Sequence, residues 1–529
     1  MADAERATAD RATTRRKGGL SRHTATGSAA AIAAVASGLL LDVVIATVFG
    51  AGRVTDAFFV AARIPMGITA IVMVVANQAL VPTFSTVFTK EGDKAAWRLA
   101  SRLLCLTAVV SGLICVAISL LAGPLMTIQA PGLDDRARDL AATTGALMFV
   151  VAPLAAMAEI LRALLNARYS FAAPAAMHVV LNGVAAALVV ALPHTVTSLA
   201  VAYVAGAAGQ VAFMALMAAR RGFRLTPSFG LRDRDVRATV KLCFRPTAGA
   251  ALNPLARIGE QAVVSFLPAG SVTILNYGYR LISAIGGSVF FRSVVSAMVP
   301  RLTEAVARDD RDAEVAATRQ GLRLMVLLAF PLTAALAVLA PPGVELLFRR
   351  GNFSGEDTGL LGLVLAVYAA SLVGSGVQRA LLAPFYARLD TRTPLRNTAY
   401  GVVTNLALLL PVAAIGAGRS QVVGVAMAYS VAQYVNVGHA WWRLRATTGF
   451  RSAGLAGFAL RVAVASGAAA AAMASILAVT DHAAGLLPLW RTAASAALGA
   501  LVLGVSARVV FGRDIRAALR GLDRRVAPA

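Results

Sequence analysis

Residues 99–123 read LASRLLCLTAVVSGLICVAISLLAG, an unbroken apolar run with one charged side chain, Arg102, and no proline. A helix rises 1.5 Å per residue, so this stretch exceeds the ~20 residues that cross a bilayer core. Its apolar positions are continuous rather than alternating, which argues against a transmembrane strand. Runs of the same kind recur from about residue 28 to residue 511, separated by short polar joints. Only 14% of the 529 residues are charged, where a soluble chain keeps about a quarter. The expected fold is therefore an all-α polytopic membrane protein with about fourteen transmembrane helices. They are placed near 28–50, 56–88, 99–123, 141–166, 171–193, 196–219, 238–267, 272–300, 320–348, 358–386, 396–416, 421–442, 456–479 and 487–511.

Fifty Lys and Arg against 26 Asp and Glu leave a net charge of +24. A balance this basic could suit nucleic acid, but its placement argues against that partner. The cations gather at every second joint: in the first 22 residues, at 90–98, 162–168, 220–237, 301–311, 388–396 and 443–451, and in the tail 513–525. That alternation is the positive-inside pattern of cytoplasmic loops. It predicts both termini in the cytoplasm, an even number of spans and a location in the cytoplasmic (inner) membrane. One joint departs from the pattern: Arg349 and Arg350 stand near 349–357, offset by Glu345, Glu356 and Asp357. Trp97, Trp441, Trp442 and Trp490 fall near span ends, where amphipathic rings prefer the interface. Cys105 and Cys115 are ten residues apart on one span, ~15 Å along a helix, too far to pair. With Cys243 alone in another span, neither a disulfide framework nor a metal site is implied.

The chain also repeats itself. A shift of 218 positions lays Ala51, Gly52, Val54 and Thr55 on Ala269, Gly270, Val272 and Thr273. The same shift lays Ala79, Val81 and Pro82 on Ala297, Val299 and Pro300, and Pro124 on Pro342. Farther on, Arg162-Ala163-Leu164-Leu165 recurs as Arg379-Ala380-Leu381-Leu382. Six spans precede the second copy, so the halves share one orientation and are expected to flank a central cavity. The resulting division is a basic tail over 1–27, a six-helix lobe over 28–220, a second over 221–446, two extra helices within 447–512, and a tail over 513–529.

Three motifs carry a family resemblance. Gly50-Ala51-Gly52 is followed by Thr55-Asp56-Ala57-Phe58-Phe59-Val60-Ala61, Pro65 and Ala79-Leu80-Val81-Pro82. The second motif is Leu347-Phe348-Arg349-Arg350-Gly351-Asn352-Phe353, and the third runs from Phe385 to Pro394, with Arg388, Asp390, Thr391, Arg392 and Thr393 inside it. The chain resembles the MviN/MurJ lipid II flippases over nearly its whole length. The resemblance implies the multidrug/oligosaccharidyl-lipid/polysaccharide exporter fold, with the last two helices forming a groove for a lipid tail. It marks Asp56, Pro82, Arg379, Asp390 and Pro394 as structural motif positions.

Ionisable groups within a span are costly and usually face a cavity or a partner. Asp42, Arg63, Arg257, Glu260, Arg280 and Arg292 are therefore the candidate substrate-cavity residues, together with Tyr277, which lies one helical turn from Arg280. A pyrophosphate would suit an arginine fork, and Arg280 falls on a cavity-lining arginine of the family's eighth helix. Arg257 and Glu260, at i,i+3, read equally as a mutual ion pair, while Glu159 and Arg162 read as a structural clamp near a span end. The family's arginines in its first helix and mid-second helix are missing here; Ile68, Thr69 and Ala70 stand where the latter fall. No Gly-Lys pair exists for a P-loop, and the five histidines are scattered without a zinc or nucleophile pattern. The expectation is a non-enzymatic flippase of a polyprenyl-pyrophosphate-linked cell-wall precursor, without a cofactor. Its partners are the lipid-linked oligosaccharide, membrane lipids and cell-wall synthesis enzymes. The alternatives are another lipid-linked glycan, a cation-coupled drug exporter, and a non-transporting scaffold.

Overall fold

The computed structural model describes residues 32–502 and 504, apart from 169, 229–232, 287–288, 415, 417, 451–453 and 482–491. Among the described residues there are helices and no strands. The helices gather into two units, Met1–Ala262 and Val263–Ala529. The first holds α1 (Ile32–Phe49), α2 (Arg53–Val75), a π-helical turn (Ala76–Leu80), α3 (Val81–Glu91), α4 (Asp93–Leu120) and α5 (Ala122–Gln129). It continues with α6 (Asp135–Met148), α7 (Val151–Ala167), α8 (Ala172–Ala191), α9 (Val196–Ala219), α10 (Arg234–Ala250) and most of α11 (Leu252–Val264). The second holds α12 (Ser271–Gly286), α13 (Val289–Ala307), α14 (Arg311–Phe348), α15 (Gly355–Ala387), α16 (Arg392–Ala414), α17 (Gln421–Thr448), α18 (Leu455–Asp481) and the short α19 (Thr492–Val502).

Ten of the described helical segments are long and apolar enough to cross a membrane. The spans expected at 238–267, 272–300 and 421–442 are helical as well, yet they fall outside that set. The first is split at Ala251 and carries Lys241, Arg257 and Glu260, and the second is described as the 16-residue α12 and as α13, which carries Arg292, Arg301 and Glu304. The third is diluted by Gln433, Asn436 and His439. The tails 1–27 and 513–529 lie outside the described residues, as does much of the span expected at 487–511.

The repeat is written in the helix boundaries. Helices start at Arg53 and Asp93 in the first unit and at Ser271 and Arg311 in the second, 218 residues on. Beyond the next joint the shift becomes 220. Asp135 and Ala172, which open α6 and α8, correspond to Gly355 and Arg392, which open α15 and α16. The caps follow the same register. Asp134 caps α6 by accepting from the Ala137 N–H at 2.7 Å, and Ser354 caps α15 by accepting from the Asp357 N–H at 3.0 Å. The copies differ where a break is tolerated. The first unit interrupts its helix at Leu121, between α4 and α5, whereas α14 runs through Pro331, Pro341 and Pro342.

Close approach of small residues holds the helices together, because lipid offers no hydrophobic drive for helix pairing. A Cβ at Gly206 of α9 would stand 2.6 Å from the Leu181 carbonyl oxygen of α8, and one at Gly362 of α15 would stand 2.8 Å from the Pro341 Cα of α14. Pro82 is accommodated differently. It lies just after the π-helical turn, in the first turn of α3, where its missing N–H leaves no gap in the ladder. The first unit runs past residue 220 because the following segment is tied to α4. The Ser101 hydroxyl accepts from the Thr226 N–H at 3.2 Å, Arg102 pairs with Asp233, and Phe223 enters the core beside Leu99 and Leu103. Asp233 then caps α10 through the Asp235 N–H.

Candidate functional site

In the first unit, α2 and α11 bring three of the sequence-predicted residues together. The Arg63 Nε donates to Gln261 Oε1 at 2.7 Å across 198 residues of chain. One turn earlier on α11, Arg257 pairs with Glu260, and both are buried. A Cβ at Gly67 would stand 3.0 Å from the Pro254 Cβ, so the glycine is what allows α2 this close to α11. Arg63, Gln261, Arg257 and Glu260 thus form a polar patch where α2 meets α11. Asp42 is buried on α1. Gln261 was not singled out from sequence, although its i+4 spacing from Arg257 puts it on the same face.

In the second unit, Arg280 lies nine residues into α12, half-buried, between the buried segments Ser271–Gly278 and Leu281–Ile282. Tyr277 parts from it. Its ring is fully buried, 5.5 Å from the Phe348 ring and 6.3 Å from the Phe353 ring, and it belongs to the aromatic packing of the unit. Arg292 is on α13, with its side chain outside the described residues. A polar chain that sequence reading missed links α15, α16 and α17. The Gln378 Nε2 donates to Asn397 Oδ1 at 2.5 Å, and the Asn397 amide donates to the Asn436 carbonyl at 2.7 Å and lies 3.0 Å from His439 Nδ1. Asn and Gln are too common in joints for such a chain to be read without the fold.

Among the motif positions, Asp56, Asp390 and Pro394 lie at or beside helix starts. Asp56 is buried in the first turn of α2, where the Thr55 hydroxyl closes the turn by accepting from the Gly52 N–H at 3.0 Å. Glu159 and Arg162 form an ion pair at 2.6 Å, and Arg162 reaches on to Asn77 at 3.0 Å, which is the clamp expected of them. Arg379, matched to it in sequence at a shift of 217, is exposed on α15, whereas the 220-residue shift of the helix starts lays Arg162 on Leu382. Asp390 caps α16, accepting from the N–H groups of Arg392 and Thr393 at 2.9 and 3.1 Å and from the Thr393 hydroxyl at 2.6 Å. Partial burial works to raise the Asp390 pKa. The three hydrogen bonds and the nearby Arg443 charge outweigh it and hold the carboxyl below its usual range. Pro394 sits within that first turn, where a missing N–H costs nothing.

Comparisons with known proteins agree with this architecture. A relative described as lipid II flippase MurJ, from Burkholderia cenocepacia, is 29% identical over 403 residues, covering 74% of this chain and 78% of its own. One from Vibrio cholerae, described as a probable lipid II flippase MurJ, is 28% identical over 415 residues, covering 76% and 78%. Among solved structures, lipid II flippase MurJ in an inward closed conformation aligns with 92% of this chain and 99% of its own, at a TM-score of 0.74 and 18% identity. An inward-facing multidrug-resistance MATE transporter aligns with 77% and 94%, at a TM-score of 0.60 and 14% identity. These two structural likenesses concern the fold alone. The family model described as lipid II flippase MurJ matches residues 45–490. With that match spanning most of the chain, this protein belongs to the MurJ lipid II flippase family.

Proposed function

We propose that this protein moves lipid II across the cytoplasmic membrane by alternating access, with its two six-helix lobes exposing the site first to one side and then to the other. The observation that carries the reading is the family match over 45–490, with Arg280 in the middle of α12. A buried or half-buried guanidinium in a spanning helix is retained where it has an anion to hold, and pyrophosphate offers paired oxygens to its planar fork. Arg280 is assigned the substrate phosphate. Arg63, Arg257 and Glu260, with Asp42, supply a second polar patch for the head group. The polyprenyl tail stays in lipid beside the last two helices.

Because the family's basic positions are Ile68, Thr69 and Ala70 here, dependence on Arg280 should be sharper than in relatives that keep those arginines. The test is complementation of a strain depleted of its own lipid II flippase, reading externally accessible lipid II and protein level together. The wild-type chain should restore export. Arg280→Ala should lower it by about tenfold or more, the loss expected of one charge-assisted hydrogen bond. Arg280→Lys should recover part of the activity, keeping the charge without the fork. Full export by Arg280→Ala at normal protein level removes Arg280 from the mechanism. Failure of the wild-type chain to lower accumulated lipid II removes the substrate, and leaves the non-transporting scaffold as the better reading.

A further inference from the structure

A cavity in the second unit lies apart from the residues assigned to the transported head group. It encloses about 600 Å³ between α14, α15 and α18, at the ends of α14 and α18 far from the basic joint at 301–311. Pro341 of α14 and Leu477 of α18 form an apolar wall that lies within helices long and apolar enough to span the membrane. Gly355 and Gly359, one turn apart on α15, form another side, and a Cβ built on either meets nothing within 4 Å. The rim is polar and made of Glu345 and Arg349, which pair with each other at i,i+4 while remaining partly exposed. These belong to the one joint where arginines break the alternation of basic loops, and Arg349 lies within the Leu347–Phe353 motif.

We infer that this cavity is a binding site for a phosphatidylethanolamine of the leaflet facing the 349–357 joint. Both parts of this lipid find a complement in the cavity. The apolar wall accepts an acyl chain at membrane depth, where the displaced contents would otherwise be other lipid tails. At the rim one acid and one base stand a helical turn apart. A head group with a phosphate and a primary ammonium can exchange with that pair, phosphate to the Arg349 guanidinium and N–H donors to the Glu345 carboxylate. Phosphatidylcholine carries the same phosphate and an equal charge, but its quaternary nitrogen has no proton to donate. Phosphatidylglycerol brings a phosphate and no cation for Glu345. Glu345, Arg349 and Gly359, which decide the head group and the site, are not assigned to transport, although α18 is one of the two helices beside which the polyprenyl tail is placed.

The test is lipid retention by the purified full-length chain. It is incubated with equal mixtures of phosphatidylethanolamine, phosphatidylcholine and phosphatidylglycerol, and its bound lipid is read by native mass spectrometry. Wild type should retain phosphatidylethanolamine about tenfold over phosphatidylcholine, the worth of one charge-assisted hydrogen bond. Glu345→Gln should bring that ratio close to one, and Arg349→Gln should lower retention of all three. Gly359→Phe, whose ring has open space to enter, should abolish the preferential retention with an unchanged unfolding midpoint. Equal retention of phosphatidylethanolamine and phosphatidylcholine by wild type overturns the head-group assignment. Wild-type retention by Gly359→Phe overturns the site itself. If Gly359→Phe does not fold, the exposed-rim variant Glu345→Gln decides: an unchanged tenfold preference overturns the proposal.

Discussion

Leu389 is in the left-handed region at φ 59° and is 87% exposed. It closes α15 with the hydrogen bonds of a Schellman turn: its N–H reaches the Tyr386 carbonyl at 3.0 Å, and the Asp390 N–H reaches the Phe385 carbonyl at 2.9 Å. Glycine is the usual residue there, because a Cβ costs ~1–2 kcal/mol in that conformation. Leu389→Gly should therefore stabilise the protein by about 1 kcal/mol, read from its unfolding midpoint in detergent; no change would mean the turn relaxes without strain. Asp390→Ala, one residue on, should destabilise by about 1 kcal/mol at neutral pH through loss of the α16 cap. The sign with pH follows from the lowered carboxyl pKa. Its stabilisation is complete above the ordinary aspartate value and is lost as pH falls through the depressed folded value. The gap between wild type and Asp390→Ala should thus narrow in acid and not in base. The position of Asp390 was legible in sequence through the family motif, without its role as a cap. The left-handed turn was not, since leucine gives no sign of it.

A pair of ion pairs shows how the duplicated helices have diverged in strength. Arg168, following α7, reaches Asp93 at the start of α4 at 3.0 Å, and both side chains are well exposed. Arg388, following α15, reaches Glu314 in the first turn of α14, and here the carboxylate is buried at 4% exposure. The arginines correspond at the 220-residue shift; the acids do not, and each helix start has supplied its own. An exposed pair is worth ~0–1 kcal/mol, while removing one partner of a buried pair strands a charge at ~3–5 kcal/mol. Arg388→Ala should accordingly cost several kcal/mol and Arg168→Ala less than about 1, in unfolding of the two variants side by side. Equal costs would show that Glu314 is reached by water once Arg388 is gone. Helix existence and approximate bounds were readable because long apolar runs dominate this chain, whereas partner choice between distant helices, as in Arg63 with Gln261, depends on packing that no local pattern encodes.

The charge pattern and the duplicated helix starts together bear on how the chain sits in its membrane. The joints expected outside hold few cations, and Arg53 and Arg419 among them are matched by carboxylates from the same end. Arg53 pairs with Asp134 at 3.1 Å within the first unit, and Arg419 pairs with Asp357, with Glu356 at 3.7 Å, within the second. On the other side, Arg220, Arg221, Arg224 and Arg234 crowd one joint, where the positive-inside effect acts on a net positive charge. Helix starts at 53 and 93 recurring at 271 and 311 carry the same argument from one half to the other, since a shift across an even number of spans preserves direction. The predicted topology is therefore cytoplasmic at 220–237 and external at 268–270. It is checked in a chain whose three cysteines, Cys105, Cys115 and Cys243, are replaced by alanine, with one new cysteine at Ala269 or at Arg234, both exposed. A membrane-impermeant maleimide applied to intact cells should label Ala269→Cys at once and Arg234→Cys only after permeabilisation. Labelling of Arg234→Cys in intact cells, with Ala269→Cys protected, would invert the chain. On the function proposed above, phosphate capture at Arg280 would then begin from the opposite leaflet.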